Sequence, residues 1–149
     1  MAVAKVASSV GKGLFAGALG TAFMTGSSMI EMKLRNRGGS SAPADAVEEV
    51  AGVRPVSDAA EQRLSNITHW GYGTGWGAVR GLIGAAGLQG PAATALHFAA
   101  VWGTSLVMLP SLDIAPPVTD QSLQETGVDA GHHLVYAAVT NLAYELLDR

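Results

Sequence analysis

Four long stretches of the chain carry almost no charged side chains, and polar segments separate them. The stretches are residues 13–30, 67–88, 91–109 and 130–147. The second contains a single charged residue, Arg80, and the fourth contains a single one, Glu145. A helix that spans a membrane needs about 20 mostly apolar residues. The pattern therefore predicts an all-α fold, a four-span transmembrane helical bundle formed by a single domain, residues 1–149.

The expected spans cover about residues 13–31, 67–88, 91–110 and 129–147, with a polar, partly helical loop at 32–66. Two segments of that loop have helical patterns, "ADAVEEVAG" and "SDAAEQRLSN". We expect Asp45 and either Ser57 or Asp58 to begin these two short helices, and Gly52 to end the first. Such segments suit either a solvated loop or helices that lie on the membrane surface.

The composition favours helices packed in lipid. Charged residues make up 14% of the chain, against roughly 25% in an average soluble domain, and there are 19 glycines but only three phenylalanines. Small residues let helices approach each other closely in a membrane. Gly17 in the first span and Gly73, Gly77 and Gly81 in the second are therefore predicted to be helix-packing positions. A soluble bundle rich in glycine and alanine is the alternative, because the mean hydropathy is only moderate.

One end of the predicted bundle gathers ionisable side chains. Glu31 ends the first span, while His69 and His133 begin the second and fourth, so an up-and-down bundle places the three at one level. A hydrogen-bonded layer that locks the bundle is the simplest interpretation, and it needs no cofactor. Two imidazoles and a carboxylate could also hold a metal or relay a proton, and two histidines could hold a haem.

The opposite end offers a second polar layer of Arg80 and Glu145, with His97 near the start of the third span. An unpaired charge in lipid costs about 2.5–3.5 kcal/mol, so an intramembrane ion pair between Arg80 and Glu145 is the favoured interpretation. A transport role for the pair is the alternative.

Two adjacent histidines lie near the start of the fourth span, and consecutive helical residues point about 100° apart. His132 shares an apolar stripe with Val135 and Val139, so it is predicted to face lipid or the interface. His133 shares a small, polar stripe with Thr140, so it is predicted to face the bundle interior.

Three sequence features together resemble the YagU-type inner-membrane proteins, a family of small bacterial multi-pass proteins. They are "HWGYGTGWGAVRG", then Pro110 followed by Pro116, Pro117 and Val118, and then "GHHLVYAAVTNLAYELL". The resemblance covers about residues 66–149 and makes His69, His133 and the three prolines the matching positions. It implies a multi-pass protein of the cell inner membrane. His97, His132 and the polar first loop depart from the family pattern, and the family has no established molecular activity.

The remaining sequence features narrow the function. There is no cysteine, which excludes disulfides and thiolate metal sites. The net charge of −3, without a basic block, argues against a nucleic-acid partner. No nucleotide-binding or protease signature is present.

The sequence predicts a non-enzymatic membrane protein in the lipid bilayer that self-associates as a homo-oligomer or serves as an accessory subunit of a membrane complex. The alternative is a protein that binds a metal or haem, or conducts protons or a small solute, through its His/Glu layer.

Overall fold

A computed structural model describes residues 2–149, with side chains from residue 3 onward. These residues form five α-helices and one short 3-10 helix and contain no strand, which confirms the all-α prediction. The α-helices are α1 (Ala2–Arg35), α2 (Ala42–Ala51), α3 (Asp58–Ala85), α4 (Gly90–Ser111) and α5 (Leu123–Leu147). The 3-10 helix, Val118–Asp120, lies in the connection between α4 and α5.

Two of the described helices are long and apolar enough to cross a membrane, Val3–Arg35 and Gly90–Ser111. The sequence predicted four spans, so the structure supports half of that number by length and apolarity. The helices α3 and α5 correspond to the other two predicted spans, and they are long enough to cross a membrane but do not contain a stretch as apolar as those of α1 and α4.

The polar loop is shorter than predicted because its second helical segment belongs to α3. No glycine or proline interrupts residues 58–70, so the helix continues directly into the predicted second span. Ser57 is its N-cap and accepts a hydrogen bond from the backbone N–H of Ala60. The helix α2 forms, with Gly52 ending it at a φ of 65°, but its N-cap position is Ser41 and not Asp45.

Glycines bring α1 and α3 into backbone contact. A Cβ atom added to Gly17 would lie 2.7 Å from the Cα of Gly77, and one added to Gly77 would lie equally close to Gly17. Gly73 faces Thr21 of α1 in the same way, and Gly81 faces Ser9. The glycines that the sequence assigned to packing therefore lie along one seam inside this chain.

The helix α5 also packs against α1, next to the α3 contact, and α4 packs against α5 and α3. Pro110 lies within the last turn of α4, one residue before the helix ends, while Pro116 and Pro117 precede the 3-10 helix. The start of α5 is a capping box, in which the side chains of Ser122 and Glu125 each accept a hydrogen bond from the other's backbone N–H. Hydrogen bonds from Ser122 hold the pKa of Glu125 below its usual value.

The interior of the bundle is polar and small, and its exterior is apolar. The largest fully buried side chains are Arg80, Tyr136, Tyr144, His97, Thr21 and Thr140. From residue 3 onward no leucine, isoleucine, phenylalanine, tryptophan or methionine is buried. Large apolar side chains are exposed on all four long helices, among them Phe15, Phe23, Ile67, Leu96 and Leu142. This distribution is the inverse of a typical soluble core.

Candidate functional site

The buried guanidinium of Arg80 is the centre of the interior site. It lies on α3 with no exposed surface, and its Nε donates a hydrogen bond of 2.8 Å to Oδ1 of Asn141 on α5. Its Cζ lies 4.2 Å from the centroid of the Tyr144 ring, a cation–π contact. Its Nη2 lies 3.8 Å from Oε1 of Glu145, which is the ion pair that the sequence predicted.

Glu145 joins three helices at this end of the bundle. Its Oε1 accepts hydrogen bonds from the backbone N–H of Gly90 (2.7 Å), at the start of α4, and from Nδ2 of Asn141 (3.0 Å). One turn further along, Lys12 of α1 donates a 2.9 Å hydrogen bond to Asp148. Polar contacts at this end of the bundle thus link the end of α5 to the start of α4 and to the first half of α1.

His97 lies deeper in the bundle, beside the ion pair and not in it. Its Nε2 forms a 3.0 Å hydrogen bond with the carbonyl of Trp76, and its ring packs 5.5 Å from that of Tyr136. The hydroxyl of Tyr136 donates to the carbonyl of Gly73. These bonds join α4, α5 and α3 through interior polar groups.

The predicted layer of Glu31, His69 and His133 does not form as one site. Nε2 of His69 is 3.0 Å from Oγ1 of Thr25, and Nδ1 of His133 is 3.0 Å from the carbonyl of Asp129. Each of the two histidines therefore has its own partner within α1 or α5.

Glu31 instead pairs with the arginines that follow it. It accepts a 3.2 Å hydrogen bond from Arg35 and several from Arg37. These bonds raise the pKa of the Arg37 guanidinium. Arg37 lies beyond the end of α1 and turns back toward it. The sequence-based prediction of the layer rested on depth in the bundle. Depth does not determine the direction of a side chain, so this pairing was not predicted.

The structure also corrects the prediction that His132 faces outward. Its side chain is only 12% exposed, against 13% for His133. Nδ1 of His132 lies 2.8 Å from Oγ of Ser27, and its Nε2 lies 3.9 Å from Oε2 of Glu31. The two histidines thus point to different neighbours, His132 to α1 and His133 toward Asp129, and both are largely enclosed.

Asp129 contacts two of the interior side chains, and the sequence did not lead us to predict this role. Its carboxylate accepts a 2.8 Å hydrogen bond from the indole N–H of Trp102 on α4, and its Oδ1 lies 3.3 Å from Nδ1 of His133. The signal was present in the sequence, because Asp129 precedes His133 by four residues and so shares its helix face.

No three histidine, aspartate or glutamate side chains converge as possible metal ligands anywhere in residues 2–149. The predicted layer therefore does not have the geometry of a metal site, and its two histidines are each engaged elsewhere. The interior contains several hydrogen-bonded polar groups and one ion pair, in which Arg80 is buried and Glu145 is partly exposed.

Known proteins add no family assignment. No family model matches the chain, and neither a curated protein nor a solved structure matches it.

Proposed function

We propose that the chain is a small multi-pass protein of the cell inner membrane in which α1, α3, α4 and α5 cross the bilayer. The observation that supports this proposal best is the inverted distribution of side chains. Arg80 and His97 are completely buried, whereas Phe15 and Phe23 are exposed. Lipid is the solvent in which such a surface is stable and in which ionisable groups must face the interior.

The dimensions of α3 and α5 agree with the proposal although their composition is mixed. They contain 28 and 25 residues, or about 42 and 38 Å of helix at 1.5 Å per residue. The hydrocarbon core is about 30 Å thick. Arg80 of α3 and Asn141 of α5 are buried, while Leu82 of α3 and Leu142 of α5 are exposed. The resemblance to YagU-type proteins supports the same location.

Within the membrane, the proposed role is non-enzymatic association, with a second copy or as an accessory subunit. Gly71 and Gly75 on α3 are exposed, and a Cβ atom on either would meet no described atom within 4 Å. They continue a stripe that begins at the exposed Ile67. A small-xxx-small pair of this kind is a common surface for helix association in lipid. The seam glycines, by contrast, are already used inside the chain.

Membrane extraction tests the location. The protein is expected to stay in the membrane fraction through an alkaline carbonate wash and to require detergent for release. Folded, monodisperse protein obtained in plain buffer would exclude the proposal.

Self-association is tested by Gly75→Leu, with Gly11→Leu as the matched control on α1. Both glycines are exposed and open, so neither change should disturb the single-chain fold. We expect Gly75→Leu to reduce the oligomer fraction measured by photobleaching in liposomes, and Gly11→Leu to leave it unchanged. Equal oligomer fractions in both variants would remove the Gly71–Gly75 surface from the proposal.

A second candidate function is the conduction of protons or a small solute. The observation that favours it is the number of polar side chains inside the bundle, which are Glu145, Asn141, Arg80, His97, Tyr136 and His69. Proteoliposomes with an enclosed pH-sensitive dye test this function. Proton entry no faster than in protein-free liposomes would exclude proton conduction.

A further inference from the structure

The chain leaves α1 through a tight turn that brings two basic side chains to one surface pocket. Asn36 follows the helix in the left-handed conformation, with a φ of 54°. The backbone N–H of Arg37 then donates to the carbonyl of Met32 at 3.1 Å, which is the hydrogen bond of a Schellman motif. Because the chain turns back here, Arg37 lines the same pocket as Lys33 of the last helical turn.

The pocket at this turn has apolar and cationic walls and no acidic one. Its volume is about 390 Å³, the space of roughly a dozen water molecules in the liquid. The residues that line it are Met29, Met32, Lys33, Asn36, Arg37 and Gly39. Two thioether side chains therefore lie beside two cations in one open pocket.

Glu31 neutralises only part of the positive charge at the pocket. It pairs with Arg37, which lines the pocket, and with Arg35, which does not. Lys33 is exposed, and no carboxylate lies within 4 Å of it among the side chains of residues 3–149. Two cations line the pocket and one carboxylate adjoins it, so one positive charge is in excess even without Arg35.

The guanidinium of Arg37 also retains donors for a further ligand. Its Nε and Nη2 donate to the carboxylate of Glu31, and its Nη1 donates to the carbonyl of Gly38. A guanidinium has five N–H groups, so one N–H on each terminal nitrogen has no partner among the described residues. Both are available to an anion in the pocket, because Arg37 is exposed.

The apolar wall of the pocket continues into the exposed face of α1. Met29 is exposed and adjoins the exposed Ile30, and Phe23 lies two turns earlier on the same face as Ile30. If α1 crosses the bilayer, this face meets acyl chains and the pocket at the end of the helix lies at the level of the headgroups. Basic residues next to a span favour the cytoplasmic side, whose leaflet contains anionic lipids.

We propose that the pocket at the end of α1 binds the phosphate of an anionic phospholipid, with an acyl chain of the lipid against Met29 and Ile30. The inference rests on the proposed membrane role and adds a ligand class to it. Lys33 supplies an unpaired positive charge, and the two remaining N–H groups of Arg37 donate to phosphate oxygens. A lipid fits better than a free phosphate because only a lipid also covers the methionine wall.

Dioctanoyl phosphatidylglycerol is the probe, added to the full-length protein in detergent, and dioctanoyl phosphatidylcholine is the lipid control. The anionic lipid should raise the midpoint of thermal unfolding in a saturable way and more than the control, because a ligand that binds the folded state stabilises it. Glycerol phosphate at the same concentrations should have little effect, since it has no acyl chain. Equal effects of the two lipids, or a full effect of glycerol phosphate alone, would overturn the proposal.

Lys33→Gln identifies the site, and Lys5→Gln is its matched control. Both lysines are exposed on α1, and they are about 42 Å apart along the helix at 1.5 Å per residue. Lys33→Gln should weaken the affinity for the anionic lipid about fivefold, which corresponds to about 1 kcal/mol per basic residue. Lys33→Arg should retain most of the affinity, and Lys5→Gln should retain all of it. Equal losses in the two glutamine variants, or none in Lys33→Gln, would contradict the assignment.

Carbonate extraction of the same protein separates this proposal from the membrane role on which it rests. Protein that stays in the membrane fraction but does not prefer the anionic lipid excludes the lipid site alone. Folded protein in plain buffer excludes the membrane role, and the lipid site with it.

Discussion

Arg80 and Glu145 show how a single buried charge organises its surroundings. We predict that Glu145→Gln destabilises the bundle by about 1–3 kcal/mol, because it removes the only carboxylate within 4 Å of the buried guanidinium in the described structure. Adding Arg80→Met should recover part of the loss, since the uncompensated charge is then gone. Thermal unfolding of both single variants and the double variant measures the coupling. Strictly additive losses would contradict an energetic link.

His132 and His133 give the second residue-scale prediction, which differs from the one based on helical stripes. Replacing His132 with leucine removes the hydrogen-bond partner of the Ser27 hydroxyl. Replacing His133 with leucine removes the imidazole that lies 3.3 Å from the Asp129 carboxylate. Each change should lower the stability by about 1–3 kcal/mol in thermal unfolding. A loss at His133 with none at His132 would restore the outward orientation of His132.

The sequence pattern predicted which residues of α5 face the interior of the bundle. It did not predict which residues of the other helices they contact. Thr140 and Tyr144 are fully buried, as the helical stripe of His133 indicated. The prediction that His132 faces outward was wrong because a helix between two neighbouring helices is buried over a wide part of its surface. The helix α1 covers the side of α5 that was assigned to lipid. Partners such as Ser27 and Trp102 lie on other helices, so no local spacing encodes them.

At the scale of elements, the α1–α3 seam depends on the absence of side chains at chosen positions. We predict that Gly77→Ala destabilises the fold by about 1–3 kcal/mol, because its Cβ would lie 2.7 Å from the Cα of Gly17 and force the helices apart. The matched control, Gly75→Ala on the same helix, faces open space and should stabilise α3 by up to about 1 kcal/mol. Equal effects of the two variants in thermal unfolding would show that the seam does not restrict volume.

The sequence predicted that these glycines pack against a helix, but it did not predict that the helix is α1. Glycine spacing indicates that a helix can be approached closely, and it does not say by which helix. Gly73, Gly77 and Gly81 meet α1, whereas Gly71 and Gly75 point away from it on the same helix. The boundary of α3 was misplaced for a related reason. The prediction began the second span at about residue 67, after the last charged residue of the loop, Arg63, whereas the helix itself begins at Asp58.

At the scale of the whole molecule, the apolar exterior faces either lipid or water. Two lysine substitutions distinguish the two solvents. Phe23 is 60% exposed near the middle of α1, and Val56 is 96% exposed in the polar connection before α3. If lipid surrounds α1, Phe23→Lys should cost about 2.5–3.5 kcal/mol and reduce the amount of protein in the membrane fraction. Val56→Lys should change neither quantity, because its side chain already lies in a polar segment.

The same pair of variants distinguishes lipid from water without any assumption about function. In water, replacing an exposed phenylalanine by lysine removes apolar surface and is usually within about 0.5 kcal/mol of neutral. The two solvents therefore predict different costs for Phe23→Lys and the same cost for Val56→Lys. Thermal unfolding and membrane fractionation of both variants measure the difference. If Phe23→Lys is as well tolerated as Val56→Lys, the exterior of α1 faces water, and the polar interior must be explained as the core of an unusual soluble bundle.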